Sequence, residues 1–441
     1  MRVLTFKKGG VHPDESKITK DKKIEEFFDV NEVIVPLHQH TGAPNQPLVK
    51  VNDKVLMGQK IGDCEAKVSA PVHSPVSGEV VSIENVILPT GKSSLGIRIK
   101  NDREYNLHES VIKREDIESL DNSEILKIIR ESGIVGMGGA AFPTQIKLMP
   151  PPDTKIEYLI INGAECEPFL TCDYRLMVEE SENIVKGIEI LMKILKPQKV
   201  FFGIEENKIE AANELSKIIK NKNLSNIVEI IILKTKYPQG SEKHLIKAIT
   251  GREVPSGGLP FNVGCIVQNV GTTLAIKEAI YDGMPLIERT LTISGSGVKE
   301  QKNVKVKIGT IASDIVNYCG GINGELRKII FGGPMMGFSS YTLDIPIIKG
   351  TSGLLLFTDK EYKEYEESPC IRCGRCAEAC PMSLMPMFID MYSRIEDLDK
   401  AKYFGALDCI ECGACAYVCP SKRHLVQSIR YAKNELLKRK K

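Results

Sequence analysis

Two cysteine runs near the C-terminus, Cys370-x2-Cys373-x2-Cys376-x3-Cys380-Pro381 and Cys409-x2-Cys412-x2-Cys415-x3-Cys419-Pro420, constrain this chain more than any other feature. Two residues between successive thiolates let one tight turn reach three corners of an iron-sulfur cube. In this repeated spacing the fourth thiolate crosses to the other cube. The rule assigns Cys370, Cys373, Cys376 and Cys419 to one [4Fe-4S] cluster, and Cys409, Cys412, Cys415 and Cys380 to a second. Pro381 and Pro420 turn the chain away after each fourth ligand. Gly374 and Gly413 stand where backbone passes close to an inorganic core. Structural zinc is the alternative, but such sites pair separate C-x2-C knuckles rather than packing four cysteines into one turn and a step.

A chain of 441 residues is long for one core, so two to four domains are expected. The formal net charge of +2 argues against general nucleic-acid binding. No signal peptide is read in the first eight residues and no apolar run is long enough to span a bilayer, so the expected location is cytosolic or peripheral to a membrane on its cytosolic side. Of thirteen cysteines, eight fall in the two runs; Cys64, Cys166, Cys172, Cys265 and Cys319 are scattered and expected to be reduced.

Residues 1–115 read as short strands broken by Gly and Pro. His38, His40, His73 and His108 lie in or near them and are expected on polar loop surface. Alternating helices and apolar strands then mark an α/β unit over 116–284. A helix starting at Ser123, capped by Ser123 or Asn122, leads into the glycine-rich loop Gly136-Met137-Gly138-Gly139-Ala140-Ala141-Phe142. The strands 158–162, 199–204 and 229–233 imply a parallel sheet with ligands at the strand C-termini. A third unit, 285–357, pairs strands with one short helix. The fourth, 358–441, holds the cysteine runs, an apolar helical stretch between them, and a basic helical tail expected to be solvated.

The segments "VKVNDKVLMGQKIG" and "VSAPVHSPVSGEVVSI" resemble a barrel-sandwich domain of the biotinyl or lipoyl type, without the lysine that would carry a cofactor, which implies a docking or scaffold role. The third unit resembles a β-grasp soluble-ligand-binding module serving as a spacer. The glycine loop joins three further patches: 162–168, 237–243 and 268–273. In order and spacing these four resemble the flavin-bearing, NADH-binding subunit of respiratory complex I. With the N-terminal "GGVHP", the β-grasp unit and the paired ferredoxin-type runs, the whole chain resembles the C-subunit of the Rnf ion-translocating electron-transport complex.

That resemblance implies a Rossmann-like FMN domain between the barrel-sandwich and the β-grasp unit, and an α-helical double [4Fe-4S] domain at the end. It implies that Gly136, Gly138, Gly139, Lys147, Asn162, Glu165, Gly240, Gln268 and Asn269 bind FMN, while Phe142, Glu167 and Glu242 face NAD(H). Ala164, Met137 and Ser241 depart from the complex I pattern, which has an acid, an arginine and a glutamate there. No catalytic acid or base is called for. The expected function is electron transfer between NAD(H), FMN and two [4Fe-4S] clusters in a membrane-bound ferredoxin:NAD+ oxidoreductase coupled to ion translocation. The expected partners are the membrane and iron-sulfur subunits of that complex, with ferredoxin reached indirectly. A soluble cobalamin reductase built from the same modules and a flavin-less ferredoxin-like relay are the alternatives.

Overall fold

The computed structural model describes residues 3–439; Met1, Arg2 and the last two lysines of the basic tail lie outside them. A four-stranded parallel sheet is the frame of the site. Its order is Val228–Leu233, Lys199–Glu205, Tyr158–Gly163, Cys265–Asn269. The two middle strands are almost wholly buried, as expected for a sheet covered on both faces. The helix Ser181–Leu195 leads from Tyr158–Gly163 to Lys199–Glu205 and Ile209–Asn221 from there to Val228–Leu233, with Ile184, Ile188, Leu191 and Leu215 packed into one apolar core.

In chain order the sheet runs third, second, first, fourth, so its connections reverse between the first strand and the last. That reversal opens a crevice at the strand C-termini. Asn162 and Asn269, the register partners at this point, flank it. The strand Cys265–Asn269 is legible in sequence only as a polar patch, because Gln268 and Asn269 break its apolar run.

The barrel-sandwich consists of a four-stranded sheet of Glu32–Pro36, Ser93–Asn101, Gly78–Ile87 and Lys54–Val55, with a three-stranded sheet of Gln46–Pro47, Lys60–Asp63 and Val72–His73. His40 and His73 are buried within this unit, contrary to the expected polar surface, because their rings pack where it meets the rest of the chain. The β-grasp sheet contains Lys302–Lys307, Glu288–Ser294, Gly353–Phe357, Lys328–Phe331 and Phe338–Ser340. The helix Asn122–Glu131 is capped by Asp121 rather than by Ser123 or Asn122. Asp121 takes the amides of Ser123 and Glu124, and Glu124 reaches back to the Asp121 amide.

The N-terminal arm departs furthest from the sequence reading, since it leaves the barrel. Ile24–Phe27 forms the edge of the β-grasp sheet, parallel to Lys302–Lys307. Leu4 bridges Leu233 at the edge of the parallel sheet, and Val11 exchanges backbone hydrogen bonds with Tyr237. Gly10 donates to the carbonyl of Ala379, beside the first cysteine run. Gly9 has φ +65, and a Cβ there would lie 2.4 Å from the carbonyl oxygen of Cys380. Only glycine fits this approach. Three domains are therefore laced together by one strand of chain.

Candidate flavin and iron-sulfur site

All four sequence patches meet at the C-terminal mouth of the parallel sheet. The Asn162 side chain donates to the Gly240 carbonyl at 2.9 Å and accepts from the Ala164 amide at 3.1 Å, tying two patches together. Gly240 is required at this contact, since a Cβ would sit 2.2 Å from the Ala164 carbonyl oxygen. Asn269 caps the helix Val270–Lys277 through the Gly271 amide and donates to Asp173 Oδ2 at 2.7 Å. Gly138 lies against the Asn269 side chain. Lys147 and Glu242 form an ion pair of 2.5 Å, joining the end of the glycine-loop segment to the start of the helix Glu242–Thr250.

Glu165 turns onto the start of the helix Cys172–Glu179, where it accepts from the Asp173 amide at 2.9 Å. Glu167 accepts from the amides of Met335 and Met336, so this acid grips the β-grasp unit. Burial raises the Glu167 carboxyl to about 7 against the pull of those donors. Phe142 is half-buried and its carbonyl accepts from the Gly136 amide, closing the glycine loop on itself.

Three observations fit an anionic, polar-edged cofactor at this mouth. Among the described residues, the amides of Gly138, Gly139, Ala140, Ala141 and Phe142 have no acceptor in the protein. Gly139 opens onto free space, with nothing within 4 Å of an added Cβ. Buried Gln268 Nε2 and Asp173 Oδ1 lack hydrogen-bond partners. Unpaired buried polar atoms are costly, so they mark a place for a ligand's own donors and acceptors. Asp173 escapes a reading of the sequence because it sits in the first turn of a helix, where an acid is ordinary. Burial, and then Glu165, raise its carboxyl to about 6. Arg289 escapes it too, because it sits among Glu288, Thr290 and Thr292 in a strand of mixed polarity; fully buried, it donates to the Thr351 and Met137 carbonyls.

The eight cysteines gather into two cages with crossed membership. One hollow is lined by Cys370, Cys373, Cys376 and Cys419. The other is lined by Cys380, Cys409, Cys412 and Cys415. Cys370 and Cys373 are exposed, so the first cage opens at the surface; its Cys376 packs against Met387 from the helix Pro386–Arg394, part of the apolar stretch between the two runs. The second cage is inner. The Leu384 amide donates to Cys380 Sγ and the Glu411 amide to Cys409 Sγ, the kind of contact that tunes a cluster. Burial pushes the Cys412 thiol up to about 12, so its thiolate form calls for a positive partner such as a cluster iron.

The inner cage is fastened to the mouth of the parallel sheet. Tyr237, fully buried, donates its hydroxyl to the Cys412 carbonyl at 2.7 Å. His244 Nε2 meets the Pro381 carbonyl at 3.0 Å. Gly413 packs on Met335 of the β-grasp loop that Glu167 holds. Tyr237 opens one of the sequence patches and His244 follows it, yet neither role is legible there, because each acts on a segment more than a hundred residues away.

Family models match in the same order along the chain. They are the RnfC barrel sandwich hybrid domain over residues 4–104, the Nuo51 FMN-binding domain over 129–278, the SLBB domain over 290–339 and a 4Fe-4S dicluster domain over 362–420. The cofactors are therefore FMN and two [4Fe-4S] clusters. In fold, the chain is similar to the NAD+-reducing [NiFe]-hydrogenase in the H2-reduced state, with TM-score 0.50 and 18% identity over 71% of this chain and 63% of that one. It is 49% identical over 435 residues to the C-subunit of the proton-translocating ferredoxin:NAD(+) oxidoreductase complex of Clostridium ljungdahlii, covering 98% of this chain and 94% of the relative. It is 44% identical to the C-subunit of the Na(+)-translocating ferredoxin:NAD(+) oxidoreductase complex of Acetobacterium woodii, covering 98% and 97%. The C-subunit of an ion-translocating oxidoreductase complex from Rhodobacter capsulatus is 41% identical, over 98% of this chain and 83% of its own length. With the barrel-sandwich ahead of the flavin domain, and a flavin domain present, neither the cobalamin reductase nor the flavin-less relay finds support. By identity sustained over nearly its whole length, the chain belongs to the C-subunit family of ion-translocating ferredoxin:NAD+ oxidoreductase complexes.

Proposed function

We propose that this chain is the NAD(H)-reactive subunit of a ferredoxin:NAD+ oxidoreductase coupled to ion translocation, and that electrons pass between the flavin mouth, the inner cage and the outer cage in that order. The observation that carries the order is the fastening of Cys412 and Pro381 to Tyr237 and His244 at the mouth, while Cys370 and Cys373 stand exposed. NADH yields an electron pair as hydride and a cube accepts one electron, and bound FMN supplies the conversion between the two.

The chain's own residues supply position. Gly136, Gly138, Gly139, Lys147, Asn162, Glu165, Gly240, Gln268 and Asn269 form the flavin pocket in this reading, with the free amides of Gly138 and Gly139 suited to the flavin phosphate and those further along the loop left for the nucleotide. Phe142, Glu167 and Glu242 lie on the nucleotide side. Cys380, Cys409, Cys412 and Cys415 hold the inner cluster, and Cys370, Cys373, Cys376 and Cys419 the outer one. The four units keep the bounds 1–115, 116–284, 285–357 and 358–441, with the arm reaching out of the first.

The protein works as one component of a larger assembly of several different chains. No helix among the described residues is long and apolar enough to cross a membrane. We place it peripherally on the cytoplasmic face, with membrane and iron-sulfur subunits as its partners and ferredoxin reached through them. The exposed Ile371 and Tyr365 beside the outer cage suit such contact. Anaerobic addition of NADH to protein loaded with FMN and iron is expected to bleach the flavin and then generate a cluster paramagnetic signal. Flavin bleaching with no cluster reduction contradicts the proposed route.

A further inference from the structure

The exposed tip of the glycine loop is held from outside its own domain. Thr41, on the barrel-sandwich turn 38–43, donates its hydroxyl to the Ala140 carbonyl at 2.5 Å and its amide to the Ala141 carbonyl at 3.1 Å. Ala141 has φ +49, a left-handed conformation that a residue with a Cβ keeps only when its surroundings hold it there. In a trans peptide the C=O and N–H point in opposite directions. Two held carbonyls therefore turn the amides of Ala141 and Phe142 away from the barrel-sandwich, and these are among the loop amides left without acceptors in the protein.

The turn that carries Thr41 is braced in its own right. Buried His40 donates from Nε2 to the Ala43 carbonyl at 2.9 Å. Gln39 donates to the Pro36 carbonyl and accepts from the amide of Lys349, and Lys349 in turn donates to the Gly133 carbonyl, where the glycine-loop segment begins. Thr41 and Lys349 thus hold the two ends of that segment, one from the barrel-sandwich and one from the chain entering the last β-grasp strand.

We propose that Thr41 is a positioning residue for nucleotide binding: from the barrel-sandwich it fixes the direction in which the amides of Ala141 and Phe142 face, for a phosphate-bearing nicotinamide nucleotide. The proposal deepens the reading of the glycine loop given above and rests on it. The barrel-sandwich, which carries no cofactor lysine, then serves as a clamp on a site in the neighbouring domain.

The test uses the flavin-loaded full chain, with NADH as substrate and ferricyanide as acceptor. Thr41→Val keeps the shape and the amide but removes the hydroxyl donor. Loss of one such bond is expected to raise KM for NADH about three- to tenfold, with a smaller change in kcat and with flavin and iron content retained. Thr41→Ser is expected to restore KM. Gly139→Val separates the two levels of the claim, since a Cβ at this position has open space for 4 Å around it and the branched side chain is carried into the hollow a bound ligand would fill. If Gly139→Val abolishes NADH oxidation while Thr41→Val leaves KM within twofold of the parent, the role of Thr41 is overturned and the loop assignment stands. If Gly139→Val retains the parent's flavin content and NADH kinetics, the loop assignment fails, and the clamp with it.

Discussion

The hydroxyl of Tyr237 donates 2.7 Å to the carbonyl of Cys412, so a loop at the mouth of the parallel sheet is bonded directly to the backbone of the inner cage. Tyr237 is fully buried, and water cannot replace the lost partner. Tyr237→Phe is expected to lower stability by about 1 kcal/mol and to slow reduction of the clusters by NADH. Denaturant unfolding and rapid-mixing absorbance measure the two effects. Unchanged values of both remove the bond from the electron route.

Lys17 shows how the N-terminal arm shapes the site. Its ammonium donates to the carbonyls of Glu165, Glu167 and Leu170 at 2.9, 2.7 and 2.6 Å, wrapping the loop that follows the strand Tyr158–Gly163. Burial, followed by the neighbouring Lys208, pulls its pKa below the usual lysine range. Lys17→Met leaves the Glu167 and Leu170 carbonyls without a donor and the Glu165 carbonyl with Lys208 alone, a loss on the order of 2 kcal/mol. The expected result is a lower denaturant midpoint and reduced flavin content after purification. Full flavin occupancy with parent-like stability would show that the loop keeps its shape unaided.

The junction of the barrel-sandwich with its neighbours responds to acid. Burial, and next the Lys349 ammonium, hold His40 down to about 4 from the ordinary 6.5. Its ring faces Lys349, His38 and Arg130, with the Ala43 carbonyl as its one favourable partner among the groups acting on it. Between these two values the unfolded chain binds a proton that the folded chain refuses. The His40 contribution to stability is therefore full above pH 6.5 and is lost as pH falls toward 4. His40→Gln is expected to flatten this fall between about pH 7 and 5, read as denaturant midpoints. His73, also shifted downward by burial, leaves a residual slope in the variant. Parallel slopes for parent and variant would exclude His40 from the effect.

The cysteine cages were legible because each ligand set is largely local, and the spacing of one turn dictates which three thiolates converge. The parallel sheet was legible for a similar reason: apolar strands and amphipathic helices alternate in order, so the patch at 162–168 falls at a strand end, whereas the strand before 268–273, and with it the reversal, was hidden by the polar Gln268 and Asn269. What stayed hidden depends on long-range contact. The arm from Leu4 to Phe27 has no periodicity that betrays its partners, which lie far along the chain at Leu233, Cys380 and Lys302–Lys307. His40 and His73 sit in polar sequence, yet the packing of three units buries them. Asp121 rather than Ser123 caps the helix because its carboxylate reaches two amides at once while Glu124 returns the bond.

The central claim is that the inner cage, completed by Cys380 from the other run, stands next to the flavin, and it is tested most directly by paramagnetic resonance of two cysteine variants. Parent, Cys380→Ser and Cys419→Ser proteins are reconstituted anaerobically, then reduced first by NADH and separately by dithionite. The account predicts that Cys419→Ser loses the outer signal while NADH still reduces the inner cluster, and that Cys380→Ser loses the inner signal and blocks reduction of the outer cluster by NADH. Loss of only the outer signal in Cys380→Ser, with the remaining cluster still reduced by NADH, would contradict both the crossed ligation and the order of transfer.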